Sequence, residues 1–438
     1  MSAVRQLPHA TSLEELPPLP EIYILWHPEC AHGAAIAWQI RQWLRPAAGQ
    51  GPQIFYRSDT APGGGTRLPL PLPGENRNWP PEIHPKEPGR TLQIVIPLLD
   101  HQMVADPAWR WWLENLSENL PAGFPRIFLP VALTRTAFNA PPAIAKQNFL
   151  RIPDVLELRA EDLWVDPLQS PLLGSLLKPL TETLCKIVLA ERRGDAESSS
   201  RKSAPLRLFI SHAKVDGVGP ASRLRDYIYS RTQLAAFFDE NNIPYGDNFA
   251  DVLNGALEAG ETAALIAVVS DAYASRPWCR KELRSFCQPT CIMPGHIEVW
   301  ALQPVLLVDV LEGKKLTRGL TELATVPVLR WRDDLPGFQQ EETVITTLLR
   351  EVFFDGYARL VSRHFALTES EPRIVLSWKP DVVTLLHVLA NQPDGRNREV
   401  TVLYPGRELS SIDEETLHEL FPRITFLSFA EADIEFAQ

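Results

Sequence analysis

Between residues 206 and 308, short apolar runs alternate with stretches whose apolar positions recur every three or four residues. The runs 206–210, 234–238, 263–269 and 304–308 read as strands, and 221–230, 249–257 and 278–286 read as helices. Such alternation builds a parallel sheet with helices on both faces. Ligands of open parallel sheets gather at the carboxyl ends of the strands. The positions to watch are therefore Ser211, His212 and Ala213 past the first strand, Asp239 past the second, and Ser270 and Asp271 past the third.

The N-terminal part repeats this plan. Strands are expected over 22–26, 53–56, 92–99 and 127–133, with helices over 34–44 and 109–116. A Pro/Gly-rich insertion at 61–90 offsets the two copies, and its Gly63-Gly64-Gly65 reads as a turn. Both an internal duplication and the generic likeness of any two α/β segments account for the match. After a helix expected from Glu341 to His364, a third segment gives strands over 373–378, 399–404 and 424–429 and a helix over 382–389. A further helix there is opened by a Ser411-x-x-Glu414 capping box. Residues 193–205, with no apolar side chain larger than alanine, read as a linker. The expected division is 1–192, the linker 193–205, 206–367 and a small α/β module over 371–438.

Length and composition narrow the function classes. At about 150 residues per domain, 438 residues make roughly three domains. Apolar residues at 45% and charged residues at 22% describe a globular chain, and the 40 prolines point to rigid loops. A net charge of -11, with no long basic run, gives no support to binding nucleic acid. The five scattered cysteines suit a reducing compartment. Cys279, Cys287 and Cys291, followed by His296, read as ordinary thiols more readily than as zinc ligands, because no close Cys-x-x-Cys pair is present. Neither a signal-like N-terminus nor a spanning apolar run is found, so a cytoplasmic protein without membrane contact is expected. Phosphate-loop, nucleophile-elbow, zinc-protease and EF-hand motifs are absent.

Three stretches of the middle segment carry a family resemblance. They are Leu208-Phe209-Ile210-Ser211-His212; Phe237-Phe238-Asp239 through Gly246-Asp247; and Ser270-Asp271-Ala272-Tyr273 leading into Trp278-Cys279-Arg280-Lys281-Glu282-Leu283. Over residues 205–335 the chain resembles a TIR (Toll/interleukin-receptor) domain. The resemblance implies a flavodoxin-like parallel sheet, preceded here by a second, TIR-like α/β domain and followed by the small module. It also implies one of two functions. Some members cleave NAD at the nicotinamide–ribose bond, in bacteria as immune, anti-phage or stress effectors that act on assembly; others are non-enzymatic scaffolds of signalling complexes. The expected partners are NAD, as substrate with no separate cofactor or metal, further copies of the chain, and an activating signal of unknown nature.

Among enzymatic members a glutamate lies in the helix opened by the Trp-Cys pair, and Glu282 holds that place. One carboxylate is chemically adequate. Scission of the ribosyl–nicotinamide bond passes through an oxocarbenium-like state that a carboxylate stabilises, and nicotinamide leaves neutral without a general acid. Ser270, Tyr273 and Trp278 are expected to line the pocket, with Ser211, His212 and Ala213 on the opposite rim and Phe238 and Asp239 as its floor beside the loop 240–248. Each has a plainer reading, Trp278 as a packing residue and His212 as a solvated loop residue.

The N-terminal copy departs from this pattern. Counted from Trp109 as the match of Trp278, the glutamate position holds Leu113, and Glu114 falls about 100° round the helix. The copy is expected to be catalytically degenerate, with the run Trp109, Trp111 and Trp112 partly exposed for contact with another domain or subunit. The loop Tyr404-Pro405-Gly406-Arg407 is read as part of a packing cap, because Gly406 stands outside any phosphate-cradling glycine run.

Overall fold

The computed structural model describes residues 18–56, 59–60, 67–68, 91–118, 125–152, 157–191, 206–232, 234–238, 263–310, 326–368, 371–390 and 399–432. Most of the insertion 61–90, the linker 193–205, the helix expected over 249–257, and Asp239 with the loop 240–248 lie outside the described residues. The chain forms two compact units, built on residues 17–184 and 185–434.

In the first unit, β1 (Leu19–Trp26), α1 (Gly33–Leu44), β2 (Ile54–Tyr56), β3 (Thr91–Leu99), α2 (Pro107–Glu118), β4 (Val131–Ala132) and β5 (Leu150–Arg151) form a wholly parallel sheet in the order β2-β1-β3-β4-β5. The strand expected over 127–133 is broken in two. Arg126–Phe128 and β4 each pair with β3, and Pro130, which has no N–H to give a ladder, lies between them. β3 is buried at every position, as befits a central strand covered on both faces.

The second unit holds two sheets. β6 (Arg207–His212), α3 (Val218–Arg231), β7 (Ala235–Phe238), β8 (Ala263–Val269), α4 (Pro277–Phe286), β11 (Val305–Asp309) and β12 (Val328–Arg330) give a parallel sheet in the order β7-β6-β8-β11-β12. In both units the order along the sheet is second, first, third, fourth, fifth strand, the flavodoxin-like arrangement. Phe209, Leu265, Ala267, Leu307, Leu283 and Phe286 are among the core residues between the second unit's sheet and α4.

The second sheet of this unit departs from the expected division at residue 367. Between α4 and β11 the chain makes a hairpin, β9 (Thr290–Met293) and β10 (Ile297–Ala301), whose β10 pairs in parallel with β13 (Arg373–Leu376). The order is β9-β10-β13-β14-β15, with β14 at Val400–Tyr404 and β15 at Ile424–Ser428. Two strands of the C-terminal sheet thus come from within the middle segment. One face of this sheet buries Trp300, Ile374, Leu376, Val402, Tyr404 and Phe426 under α6 (Val382–Ala390) and α7 (Ser411–Leu420). The 30-residue α5 (Gln339–Thr368) packs on β10 and β13 and also on β8 and β11. A helix serving two sheets cannot keep a polar stripe along its length, and buried positions occur all round it.

The cap of α7 differs from the expected box. Ser410, one residue earlier, accepts the N–H of Asp413 at 3.2 Å, and its hydroxyl donates to the Asp413 carboxylate at 2.6 Å.

Candidate functional site

The carboxyl ends of β6 and β8 and the start of α4 meet in one place. β6 runs further than the apolar run suggests, because Ser211 and His212 continue its register opposite Ala267 and Val268. Both side chains are buried, as is Ala213. His212 is therefore a strand residue and not a solvated loop residue.

α4 begins where proline favours a beginning. Pro277 needs no hydrogen-bonded N–H in the first turn, and Arg276 before it is extended. The inward stripe of α4 is Cys279, Glu282, Leu283 and Phe286. Trp278 lies at the margin of that stripe, 45% exposed with the Lys281 ammonium 5.3 Å from its ring centre, so it is not a packing residue of the core. Glu282, in contrast, is only 5% exposed.

A carboxylate among apolar side chains requires hydrogen bonds, since desolvation of an ion is costly. Ser211 supplies one, its hydroxyl donating to Oε2 of Glu282 at 2.6 Å. The Tyr273 hydroxyl lies 3.0 Å from Ser211 Oγ and 3.4 Å from the Cys279 carbonyl. Burial pushes the Tyr273 hydroxyl well above the ordinary tyrosine pKa, an effect partly offset by its bond to Ser211. Tyrosine is thus a neutral donor here.

Asp216 closes the arrangement from the loop after β6. Its carboxylate accepts the Ser270 hydroxyl at 2.5 Å and the Ala272 N–H at 2.9 Å, joining that loop to the one after β8. Ser270 therefore faces Asp216. The next residue, Gly217, lies close against the backbone behind it. A Cβ there would lie 3.1 Å from the backbone of Ala213 and 3.2 Å from Cβ of His212. Sequence reasoning passed over both residues. Their signal was an Asp-Gly pair in a strand-to-helix connection, where such pairs cap and turn the chain.

The structure thus joins Tyr273 to Ser211 and Ser211 to Glu282, places Ser270 on the adjoining loop, and leaves Trp278 partly exposed. Phe238 ends β7 opposite Ile210 in the sheet register. Asp239 lies outside the described residues. Among the described residues, no group of three or more His, Cys, Asp or Glu side chains is arranged to hold a metal ion.

The first unit differs at the matching place. α2 begins at Pro107 as α4 does at Pro277; aligned on these prolines, Trp109 matches Cys279 and Leu113 matches Leu283, all four buried. Trp112, rather than Leu113, then stands where Glu282 stands. Trp109 is fully buried and Trp111 is 65% exposed, so the expected exposed run reduces chiefly to Trp111. The inward stripe of Trp109, Leu113 and Leu116 explains this.

Residues 208–334 match the family profile of the TIR domain. These residues are a TIR domain. No curated protein matches the chain. Among the described residues, no helix is long and apolar enough to cross a membrane.

Proposed function

We propose that the TIR domain of this chain is an NAD glycohydrolase whose catalytic carboxylate is Glu282. The observation that supports this reading is the buried carboxylate of Glu282, held by Ser211 at the carboxyl end of a flavodoxin-like parallel sheet. Nucleotides bind such sheets at that end.

In the reaction the bond from ribose C1′ to the nicotinamide nitrogen breaks, and its electron pair returns to the pyridinium, which departs neutral. Positive charge develops on the ribose ring. Glu282 offsets that charge and accepts hydrogen bonds from ribose hydroxyls. Water adds to C1′ and loses a proton, giving ADP-ribose. Trp278, exposed at the head of the same helix, offers a stacking surface for a planar ring. In this reading the activity serves a bacterial immune or stress response inside the cell and is switched on when chains assemble.

A scaffold function is the second reading. Val215, Val218 and Trp278 are exposed on the loop and helix starts at the same end of the sheet, an apolar offering to another protein surface.

Nicotinamide release from NAD by wild type and by Glu282→Ala, at high protein concentration and with assembly measured on the same samples, separates the two. Release by wild type and its loss in an equally assembled variant supports the enzyme. Assembly of wild type without release supports the scaffold.

A further inference from the structure

We propose that Ser211 and Tyr273 are positioning residues for Glu282, a two-hydroxyl relay that fixes the carboxylate, and not residues that line the substrate pocket. The proposal rests on the reading of Glu282 as the NAD-cleaving carboxylate.

Proton counting sets the direction of the relay. Ser211 has one hydroxyl proton, and it is donated to Oε2 of Glu282 at 2.6 Å. The proton between Ser211 Oγ and the Tyr273 hydroxyl, 3.0 Å apart, must then come from tyrosine. Among the described residues, the other acceptor of Tyr273 is the Cys279 carbonyl, at the longer distance of 3.4 Å. The chain of donors thus runs from the turn Tyr273–Ser275 to the end of β6 and on to α4. Each hydroxyl polarises the next.

Hydrogen-bond capacity separates the two roles. The single proton of Ser211 is given to Glu282 and that of Tyr273 to Ser211, so neither hydroxyl keeps a proton for a ribose, whereas the Glu282 carboxylate retains lone pairs to accept one. A glutamate without such restraint samples several rotamers over its torsions, whereas the forming cation requires the carboxylate in one place. Holding it there acts on kcat more than on substrate affinity.

The test compares steady-state NAD cleavage by the full-length chain in five forms: wild type, Ser211→Ala, Tyr273→Phe, the double variant and Ser211→Thr, with Glu282→Gln as the inactive reference. Loss of a hydrogen bond to a charged group predicts a fall in kcat of about tenfold to a hundredfold in Ser211→Ala, with KM changed by less than about threefold. Tyr273→Phe should lose less, and the double variant no more than Ser211→Ala, because tyrosine acts only through serine. Ser211→Thr, which keeps the hydroxyl, should recover most of the rate. A rise in KM at unchanged kcat would make Ser211 a substrate contact and overturn the proposal, as would additive losses in the double variant.

A crystal structure of Ser211→Ala provides a readout independent of turnover. The carboxylate of Glu282 should occupy more than one rotamer in the variant and one in wild type. A single unchanged rotamer overturns the relay. If Glu282→Gln cleaves NAD at the wild-type rate, the reading of Glu282 fails by itself, and the rotamer result still decides whether Ser211 positions the side chain.

Discussion

Asp216 Oδ1 accepts the hydroxyl of Ser270 at 2.5 Å, so the loop after the first strand of the TIR sheet is tied to the loop after the third. The same carboxylate takes the Ala272 N–H through its other oxygen, immediately before Tyr273. The clamp stands one step behind the Tyr273–Ser211–Glu282 contacts and holds the backbone from which two of them are made.

Replacing Asp216 with alanine should remove both bonds and destabilise the second unit by about 1–3 kcal/mol. The proposed NAD cleavage should fall with it. Asp216→Asn, which still offers a carbonyl oxygen, should lose less on both counts. Denaturant unfolding and nicotinamide release of the same samples check this, and equal losses in the two variants would count against the clamp.

Gly217 and Gly219 lie two residues apart and should respond in opposite directions. Gly217→Ala places a Cβ about the backbone of Ala213 with 3.1 Å clearance, a contact the loop cannot relieve by moving a flexible side chain. A cost of about 1–3 kcal/mol is expected from such overpacking. Gly219→Ala meets nothing within 4 Å and lies in the first turn of α3, so it should stabilise by about 0.5 kcal/mol. Urea midpoints of the two variants provide the comparison.

Acid should weaken the first unit through Asp106. Burial raises the pKa of this carboxyl, but the N–H groups of Ala108 and Trp109 and the ring of His27 outweigh it and hold the value below the ordinary one. A folded value below the unfolded one gives stability above about pH 4 that is lost as pH falls through the folded value. Asp106→Asn should therefore reduce stability at neutral pH, by removing the charge that these N–H groups and the His27 ring favour, and flatten the dependence below about pH 4. Thermal melts of both proteins from neutral to acid pH measure it. A slope unchanged in the variant would contradict the assignment.

The TIR sheet and the C-terminal sheet should unfold together. Trp300 of β10 is buried in the C-terminal core, yet its strand belongs to the chain segment between α4 and β11. Trp300→Ala should cost about 3–5 kcal/mol and lower one shared transition by calorimetry. Two separately shifting transitions would show that the sheets are independent. For the same reason a chain ending at residue 370 should fail to fold stably, because β10 would lose the pairing from Ile297↔Arg373 to Trp300↔Leu376.

Local pattern sufficed for much of this protein. Ala263–Val269 is a strand with the bounds its apolar run predicts, since a run of that length flanked by polar residues has few other ways to be buried. The helix bearing Glu282, expected over 278–286 from its apolar spacing, runs over Pro277–Phe286. The position of Glu282 was likewise fixed by residues adjacent to it in the chain.

What joins distant residues was not legible. The bond from Ser211 to Glu282 spans 71 positions, and that from Ser270 to Asp216 spans 54. The hairpin β9–β10 falls outside the elements read from the chain, and its two short strands do not by themselves say which sheet they will join. Period-two burial depends on a partner surface that only the folded chain supplies. The sequence thus determined many of the elements, the parallel α/β class and the place of Glu282 on its helix. Tertiary structure alone decided that Ser211 meets that carboxylate and Tyr273 meets Ser211, and that the C-terminal sheet borrows two strands from the middle segment, because hydrogen-bond partners and sheet neighbours are chosen by proximity in space and not along the chain.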